Sequence, residues 1–435
     1  MTPLTPLQAR SEFPILGKRN YLNSCSLGAL SHRAERYLDE FRDRWHTMGA
    51  SAWYEHWLGR MALLRGRIEA FLGGAEGSIA LLPSTSAAIS AVAESVPAAT
   101  ASGRNRVICS ELDFPTLGYQ WAVKPDIELV VLSSPDGIGM DLAQYAEAVD
   151  ERTLFLATSH VFFTTGFVQD LSGLAQIARQ AGAYSLIDGY HGAGQVSLEL
   201  EASGVDFYTA GPLKWLCGGP GLSYLYARPD CVPEMKPRIT GWFAAKNAFD
   251  FDIRDFRFHD DARRFEMGTP ALPTVHTALG GQEIIDEVGM ETIEARNRQL
   301  TDMLVRGCRE RGLPLTVSAD PAHRSAIVMI QHQDPPGAVS HLAREGIIVD
   351  HRPGHVRVSP HFYNVEEEIS HFLDVLASFE PLPPRCSGGR APGILEGNFG
   401  SPLSQCLSST HPLRAPQGVA RAAGWERGCH DPYTS

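Results

Sequence analysis

Short apolar runs alternate with helical stretches through the first half of the chain. Leu171, Leu174 and Ala178 belong to a helical stripe between two of these runs. Continuous apolar strands separated by helices predict an α/β fold, with a mainly parallel seven-stranded sheet between helices. The predicted strands are IALL (79–82), RVIC (106–109), IELVVL (127–132), LFLAT (154–158), YSLID (184–188), VDFYT (205–209) and LSYLYA (222–227).

Helical spacing dominates on both sides of this alternating region. Apolar side chains recur three and four residues apart over 30–72, and a long helical region is predicted over about 272–312. Shorter strand and helix patterns, which include a predicted strand LTVS (315–318), then continue to about residue 377. We therefore expect a large α/β domain (31–270) and a smaller α+β C-terminal domain (271–380), with an N-terminal arm (1–30) that packs on the smaller domain. A disordered tail rich in Pro, Gly, Ser and Arg is expected over 381–435.

Composition narrows the class of protein. Hydrophobic residues make up 43% and charged residues 20% of the 435 residues, which is typical of a globular chain. The formal charge of −12, with no concentrated basic stretch, argues against a nucleic-acid partner. No apolar window is long enough for a membrane span, and the first residues do not resemble a signal peptide. Eight scattered cysteines without a CxxC motif indicate reduced thiols in the cytoplasm.

Candidate chemistry lies where the predicted strands end. The strand 79–82 leads into Pro83-Ser84-Thr85-Ser86, where hydroxyl groups open a helix. Free backbone N–H groups and hydroxyls at such a position bind phosphate, although this segment taken alone favours an ordinary Ser/Thr helix cap. Ligands bind at the carboxyl ends of the strands in open parallel sheets. This segment is therefore a candidate phosphate site.

Three ionisable residues occupy comparable positions. Asp188 ends the strand 184–188, and a carboxylate there needs a cation or a hydrogen-bond donor, or else serves as a turn cap. Lys214 has aromatic, apolar and small neighbours and is a candidate for a depressed pKa and Schiff-base chemistry, although a single lysine is more often a solvated surface residue. Arg357, in a predicted strand, is suited to hold a carboxylate through two parallel hydrogen bonds. Together with the phosphate site, these groups match the requirements of pyridoxal 5'-phosphate.

Seven segments, in the same order along residues 13–378, resemble the class V aminotransferase superfamily of fold-type-I pyridoxal phosphate enzymes, and among these the kynureninases most. The resemblance implies an enzyme with that fold, that cofactor and a free α-amino acid substrate. The segments are YLNSCSLGALSHRAERYLDEF (21–41), SELDFPTLGY (110–119), SHVFFTTG (159–166), LIDGYHGAGQVSLEL (186–200), KWLCGGPG (214–221), GTPA (268–271) and RVSPHFYN (357–364).

The same resemblance implies roles for individual residues. It implies that Lys214 forms the Schiff base and shuttles the proton, that Asp188 pairs with the ring nitrogen, and that His191 lies near the phenolic oxygen. Substrate carboxylate binding falls to Arg357. Further cofactor contacts are implied for Thr85 and Ser86 (phosphate), Phe114 (ring stacking), Ser159 (beside the ring), and Trp242 and Thr269 (reaching across from a second subunit). A homodimer with shared active sites is therefore expected.

Departures from the kynureninase pattern bear on the substrate. Leu213 and Cys217 stand where kynureninases have Tyr and Asn around the lysine, and Thr269 replaces an Asn. These changes point away from kynurenine itself and towards a related aromatic or β-substituted amino acid. The segment IIVDHRPGHVRVSP (347–360) also lacks the cysteine with which desulfurases carry persulfide.

The reaction expected on these grounds is kynureninase-like, either hydrolysis of a C–C bond or β-elimination. A class V aminotransferase that produces a keto acid is the alternative, and a non-catalytic binding protein that retains the fold is a second one. A nicotinamide dehydrogenase is disfavoured because Gly218-Gly219-Pro220-Gly221 precedes a strand instead of opening a helix. The spacing of the histidines predicts no metal site.

Overall fold

The computed structural model describes residues 3–96 and 103–379. The helices are α1 Pro6–Arg10, α2 His32–Met48, α3 Leu58–Phe71, α4 Thr85–Ala93, α5 Pro115–Ala122, α6 Leu142–Ala148, α7 Leu171–Gln180, α8 Leu200–Ser203, α9 Leu272–Val288, α10 Met290–Glu310, α11 Pro335–Arg344 and α12 Glu366–Ala377. The strands are β1 Asn20–Tyr21, β2 Ile79–Leu82, β3 Arg106–Ser110, β4 Glu128–Leu132, β5 Thr153–Ser159, β6 Tyr184–Asp188, β7 Phe207–Ala210, β8 Ser223–Ala227, β9 Val328–Gln331, β10 Ile347–Ile348, β11 Asp350–Arg352 and β12 His355–Val358.

A seven-stranded sheet with the order β2-β8-β7-β6-β5-β3-β4 forms the centre of the protein. Strand β8 runs antiparallel to both of its neighbours, and the other neighbouring pairs are parallel. Every residue of β5 is buried, as expected for a strand covered on both faces. Helices α3, α4, α5 and α7 pack against these strands. The predicted α/β fold with a mainly parallel central sheet is confirmed.

Local sequence signals explain where several helices begin. The Asp170 side chain accepts a hydrogen bond from the Gly173 N–H at 3.1 Å and caps α7. Ser31 caps α2 in the same way through the Ala34 N–H at 3.0 Å. The apolar stripe of α7 faces inward, with Leu174 fully buried. Caps fix the helix starts, and the apolar stripes fix which side faces the sheet.

The C-terminal part of the described chain forms a smaller α+β region. Strands β11, β12 and β9 make an antiparallel sheet in that order. Helices α10, α11 and α12 pack with it around a separate apolar cluster. The short strand β1 pairs in parallel with β10, so the N-terminal segment joins this region.

The helical region predicted over about 272–312 is confirmed and consists of two helices, because Gly289 adopts a backbone angle φ of +81° that ends α9 before α10 begins. One local expectation is wrong. The predicted strand LTVS (315–318) is reduced to a single bridge between Leu315 and Ile330. The domain boundaries stay a prediction, and the expected tail (381–435) lies outside the described residues. No helix in the described ranges is long and apolar enough to cross a membrane.

Removing a side chain from the central strand tests this packing. Leu156 in β5 is fully buried, so Leu156→Ala is expected to lower the free energy of unfolding by about 2–5 kcal/mol. Val131, on the edge strand β4, is 53% exposed, and Val131→Ala should change it by about 0.5 kcal/mol or less. Urea unfolding followed by fluorescence measures both; equal effects would contradict the buried position of β5.

Candidate active site

Neighbouring strand ends bring the first polar groups together. Ser159 ends β5, Asp188 ends β6, and the two residues are paired in register. Asp188 is in turn paired with Thr209 of β7. Parallel strands place their carboxyl ends at one edge of a sheet, which is the usual binding edge in α/β proteins. The register of the sheet therefore brings Ser159, Asp188 and Thr209 side by side at this edge.

A cavity of about 270 Å³ opens at this edge. Seven of the residues singled out from the sequence line it: Thr85, Ser86, Phe114, Ser159, Asp188, His191 and Lys214. The rest of its wall is mostly apolar or aromatic and received no individual site role from the sequence; it comprises Ser84, Thr116, Val161, Phe163, Tyr190 and Leu213. The structure thus gathers side chains from distant segments around one space.

Lys214 occupies a largely buried position in the cavity wall. Its Nζ lies 2.7 Å from His191 Nε2 and 4.9 Å from the centre of the Tyr190 ring. Burial lowers the pKa of Lys214 to about 8, with Cys25 and Asp188 opposing the shift and Arg357 and Arg352 adding to it. A lysine with such a pKa has an appreciable neutral fraction near neutral pH, and the neutral amine is the nucleophile.

A strained turn holds the lysine in place. Cys217 has φ of +53°, a left-handed conformation that costs a residue with a side chain about 1 kcal/mol or more. The turn lies directly on Gly28, where an added Cβ would come within 2.0 Å of the Lys214 carbonyl oxygen. The Gly28 N–H also donates to the Leu213 carbonyl at 2.9 Å. The N-terminal segment therefore supports the backbone of the reactive lysine.

Asp188 presents a buried carboxylate to the same cavity. Its Oδ1 accepts the Tyr190 N–H at 3.0 Å. Burial raises the pKa of Asp188, and the Lys214 amine partly offsets this rise. Among the described residues, none donates a hydrogen bond to Oδ2. A buried carboxylate with one oxygen free of protein donors fits a cationic ring nitrogen, which would supply both charge and hydrogen bond.

Hydroxyl groups surround the N-terminus of α4 at another part of the cavity. Ser84 Oγ accepts the Ala87 N–H at 3.2 Å and caps the helix. Thr85 Oγ1 lies 3.3 Å from Ser223 Oγ, and Ser86 Oγ lies 3.2 Å from Thr116 Oγ1. The cap and the anion-site interpretations thus hold for different residues of one segment. Hydroxyls at the positive end of a helix suit a phosphate.

Asp113 is a structural residue that the sequence patterns did not reveal. Its carboxylate is buried and accepts the N–H groups of Ser110 and Ser159, both at 2.7 Å, and the Thr158 hydroxyl at 3.0 Å. Burial raises the pKa of Asp113 to about 6 against these donors. The next residue, Phe114, packs edge-on against Phe163 with ring centres 5.2 Å apart. Asp113 ties β3 to β5 where Phe114 and Ser159 enter the cavity.

Three predicted site residues do not line the cavity. Arg357 is buried, and its guanidinium pairs with Asp350 at 2.6 Å while donating to the Phe163 carbonyl at 3.3 Å. Arg357 Nε has no hydrogen-bond partner among the described residues. Trp242 is 38% exposed and Thr269 is also exposed. Arg357 is thus adjacent to the site, whereas the other two lie on the surface.

Glu40, His56 and His276 approach one another, with potential ligand atoms within 4.8 Å. No sequence spacing predicted this cluster. Arg60 already donates two hydrogen bonds to the Glu40 carboxylate, at 2.6 and 3.0 Å, and balances its charge. We assign no metal to it.

The fold and the site together define a class of protein. An α/β sheet of this order, with an amine, a buried carboxylate and a hydroxyl-lined helix end around one cavity, is the arrangement of fold-type-I pyridoxal phosphate enzymes. The sequence profile of the family described as aminotransferase class-V matches residues 30–372. The chain belongs to this family of pyridoxal phosphate enzymes, which confirms the expected family, enzyme class and cofactor.

Individual relatives agree with the family assignment. The chain is 30% identical to the uncharacterized aminotransferase YcbU of Bacillus subtilis, over 86% of this chain and 98% of that protein. It is 24% identical to a kynureninase of Geobacillus thermodenitrificans, over 84% and 90% of the two chains. The apo structure of a cysteine desulfurase from Thermococcus onnurineus superposes with a TM-score of 0.78 at 20% identity, covering 87% and 98%. This last similarity supports the fold.

The ionisation of Lys214 can be tested directly. Because its pKa is lowered to about 8, about a tenth of the amine is neutral at pH 7, against well under a thousandth for the ordinary pKa of 10.5. Reductive methylation of the cofactor-free protein, followed by mass spectrometry, should therefore give a Lys214 rate that rises with pH and levels off above about 8. The exposed Lys18 is the internal reference. Parallel profiles for both lysines would contradict the buried environment of Lys214.

Proposed function

We propose that the protein acts on a free α-amino acid through Lys214 and bound pyridoxal phosphate, with kynureninase-like chemistry. The reaction is hydrolysis of a C–C bond or β-elimination in the substrate side chain. The observation that carries this proposal is the shared cavity of Lys214 and Asp188, an amine of lowered pKa beside a buried carboxylate. When bound, the cofactor supplies an electron sink for the substrate α-carbon.

Several residues of the cavity have separate proposed roles around the cofactor. Asp188 keeps the ring nitrogen protonated, since an adjacent anion raises its pKa. Lys214 removes and returns the proton at the α-carbon, because its lowered pKa suits a general base near neutral pH. His191 lies near the phenolic oxygen. Further contacts are the phosphate contacts of Thr85 and Ser86, ring stacking by Phe114 and a contact of Ser159 beside the ring.

Arg357 is the proposed partner of the substrate carboxylate. The Arg357 guanidinium is paired with the Asp350 carboxylate, and the same carboxylate also pairs with Arg352 at 2.8 Å. Asp350 therefore keeps a cationic partner when Arg357 turns to the substrate. Because the Arg357 side chain is only 2% exposed, a carboxylate bound there is shielded from water and the ion pair is strengthened.

Support for kynureninase-like chemistry comes from the similarity to kynureninases and from the cavity wall. Val161, Phe163 and Leu213 give that wall an apolar character that suits an aromatic or other apolar side chain. Transamination is the second candidate, favoured by the 30% identity to the uncharacterized aminotransferase YcbU. The persulfide chemistry of desulfurases is not proposed, because the segment 347–360 contains no cysteine.

Replacing the lysine tests the core of this proposal. Lys214→Ala should lower turnover of an accepted amino acid by about 1000-fold or more, because both the covalent attachment and the proton transfer are lost. Lys18→Ala, on the exposed surface, should leave turnover unchanged. Turnover is measured with a panel of aromatic and β-substituted amino acids added to the cofactor-loaded protein. Undiminished turnover in Lys214→Ala would exclude the mechanism.

Product analysis in the same assay separates the reactions. Alanine is the expected product of kynureninase-like hydrolysis, and pyruvate with ammonia is expected from β-elimination. A keto acid that retains the substrate's own side chain would instead support the aminotransferase. A protein that stays colourless with pyridoxal phosphate and turns over no amino acid would support the non-catalytic alternative.

We also propose that the active unit is a homodimer in the cytoplasm. Within the described chain, the cysteines are unpaired and buried, consistent with a reducing compartment. An aromatic surface patch consists of Trp242, Phe249, Phe251, Ile253 and Phe256, with exposed fractions from 38% to 96%. Exposed apolar patches of this kind mark interfaces. We propose that a second copy of this chain covers the patch. The family resemblance implies that Trp242 contacts the cofactor, yet Trp242 does not line the cavity of its own subunit, so it would reach the cavity of the other subunit.

A charge placed in the aromatic patch tests the dimer. The double variant Phe251→Asp, Ile253→Asp removes residues that are 73% and 96% exposed, and should shift the protein from dimer to monomer. Leu7→Asp, at a 71% exposed site on α1, is the matched control and should stay dimeric. Sedimentation velocity gives the oligomeric state. A wild-type monomer, or an unchanged dimer in the double variant, would refute this interface.

A further inference from the structure

Trp215 follows the reactive lysine directly and approaches His191 from the opposite side of the ring. Its indole Nε1 lies 3.4 Å from His191 Nδ1 with hydrogen-bond geometry. Lys214 Nζ lies 2.7 Å from Nε2 of the same imidazole. Consecutive residues of one turn therefore contact the two nitrogens of one histidine, and neither family resemblance nor sequence spacing assigned a role to Trp215.

Counting donors and acceptors fixes the proton on this ring. An indole N–H donates and has no acceptor capacity, so His191 Nδ1 must accept. A neutral imidazole carries one proton, which then resides on Nε2. The other tautomer, or a doubly protonated ring, would point two N–H groups at each other. At 3.4 Å the hydrogen bond itself adds little energy, but facing donors would be repulsive.

The surroundings keep the ring neutral. Burial lowers the pKa of His191 well below 6.5, and the positive charges of Arg357 and Arg352, together with that of Lys214 whenever it is protonated, lower it further. The Gln195 side chain donates to the backbone carbonyl of His191, not to its ring. Near neutral pH the imidazole therefore carries a single proton.

The tautomer of His191 determines the protonation state of the Lys214 amine. If Nε2 bears the proton, it donates to Nζ, and only a neutral amine offers the lone pair that accepts it. We propose that Trp215 is a positioning residue that sets the His191 tautomer and thereby holds the Lys214 amine as a free base, the form that bonds to a carbonyl carbon. This inference rests on the proposed function, since it concerns the amine that carries the cofactor.

Trp215 is itself held firmly. Its side chain is 1% exposed and packs against His361 with ring centres 5.2 Å apart. The His361 Nε2–H donates to the Trp215 carbonyl at 2.9 Å. Gly194, with φ of +93°, lies so close that a Cβ there would come within 2.8 Å of Trp215 Cβ. A ring fixed from several sides directs its N–H at one atom, as a positioning role requires.

The variant Trp215→Phe removes the indole donor while keeping an aromatic ring. His191 can then carry its proton on Nδ1 and turn the Nε2 lone pair towards Lys214, which stabilises the ammonium. The midpoint of the pH profile for reductive methylation of Lys214 should rise from about 8 by about one unit. Formaldehyde and cyanoborohydride are the probe, applied to the full-length, cofactor-free chain with Lys18 as reference.

Trp121→Phe is the matched control. Trp121 is also 1% exposed, but its Nε1 has no hydrogen-bond partner among the described residues, so this variant loses volume without losing a bond. Its midpoint should stay at the wild-type value. An unchanged Trp215→Phe midpoint, or equal shifts in both variants, would overturn the inference.

A second measurement needs no tryptophan variant. Long-range ¹H–¹⁵N spectra of the ¹⁵N-histidine-labelled wild-type chain report the tautomer of His191, identified by the signal missing in His191→Gln. The proton should be on Nε2, and a proton on Nδ1 would refute the inference even if Trp215→Phe fails to fold. Failure of the proposed function has a different signature: the wild-type chain would not take up pyridoxal phosphate, whatever tautomer is observed.

Discussion

A buried amine next to a buried carboxylate is the constraint around which the rest of the site is arranged. Each charged form is disfavoured by burial, so the pKa of Lys214 falls and the pKa of Asp188 rises. Such groups remain stable only when neighbouring residues supply hydrogen bonds or compensating charge. His191 and the Tyr190 backbone provide these contacts in the described chain. The chemistry and the stability of the site therefore depend on the same few contacts.

Residues far apart in sequence hold these groups from behind. Gly28 supports the lysine turn, and His361 bonds to the residue that follows the lysine. Arg357 reaches from β12 to the Phe163 carbonyl in the cavity wall. The N-terminal segment, the central sheet and the C-terminal sheet thus share one hydrogen-bonded network.

The site features that the sequence reveals most clearly are general requirements of pyridoxal phosphate chemistry. The phosphate hydroxyls, the carboxylate and the lysine prepare the α-carbon in any pyridoxal phosphate enzyme, so they do not discriminate among its later steps. In the proposed function, discrimination belongs to Phe163 and Leu213 of the cavity wall and to Arg357, which is paired with Asp350.

The sequence by itself determined the order of the elements along the chain. It showed the apolar runs that form β2 to β8, the hydroxyl residues at the start of α4, and Asp188 at the end of β6. These signals are local, because strand burial and helix capping depend on neighbouring residues. Only the tertiary structure decided that Asp113 accepts hydrogen bonds from the strand ends, that Asp350 forms an ion pair with Arg357 and that Trp215 donates to His191. Those contacts join residues separated by 24 to 46 positions, or by a reversal of the chain at a turn, and no periodic pattern encodes them. Register and packing in three dimensions, rather than composition, bring the donor of one segment to the acceptor of another.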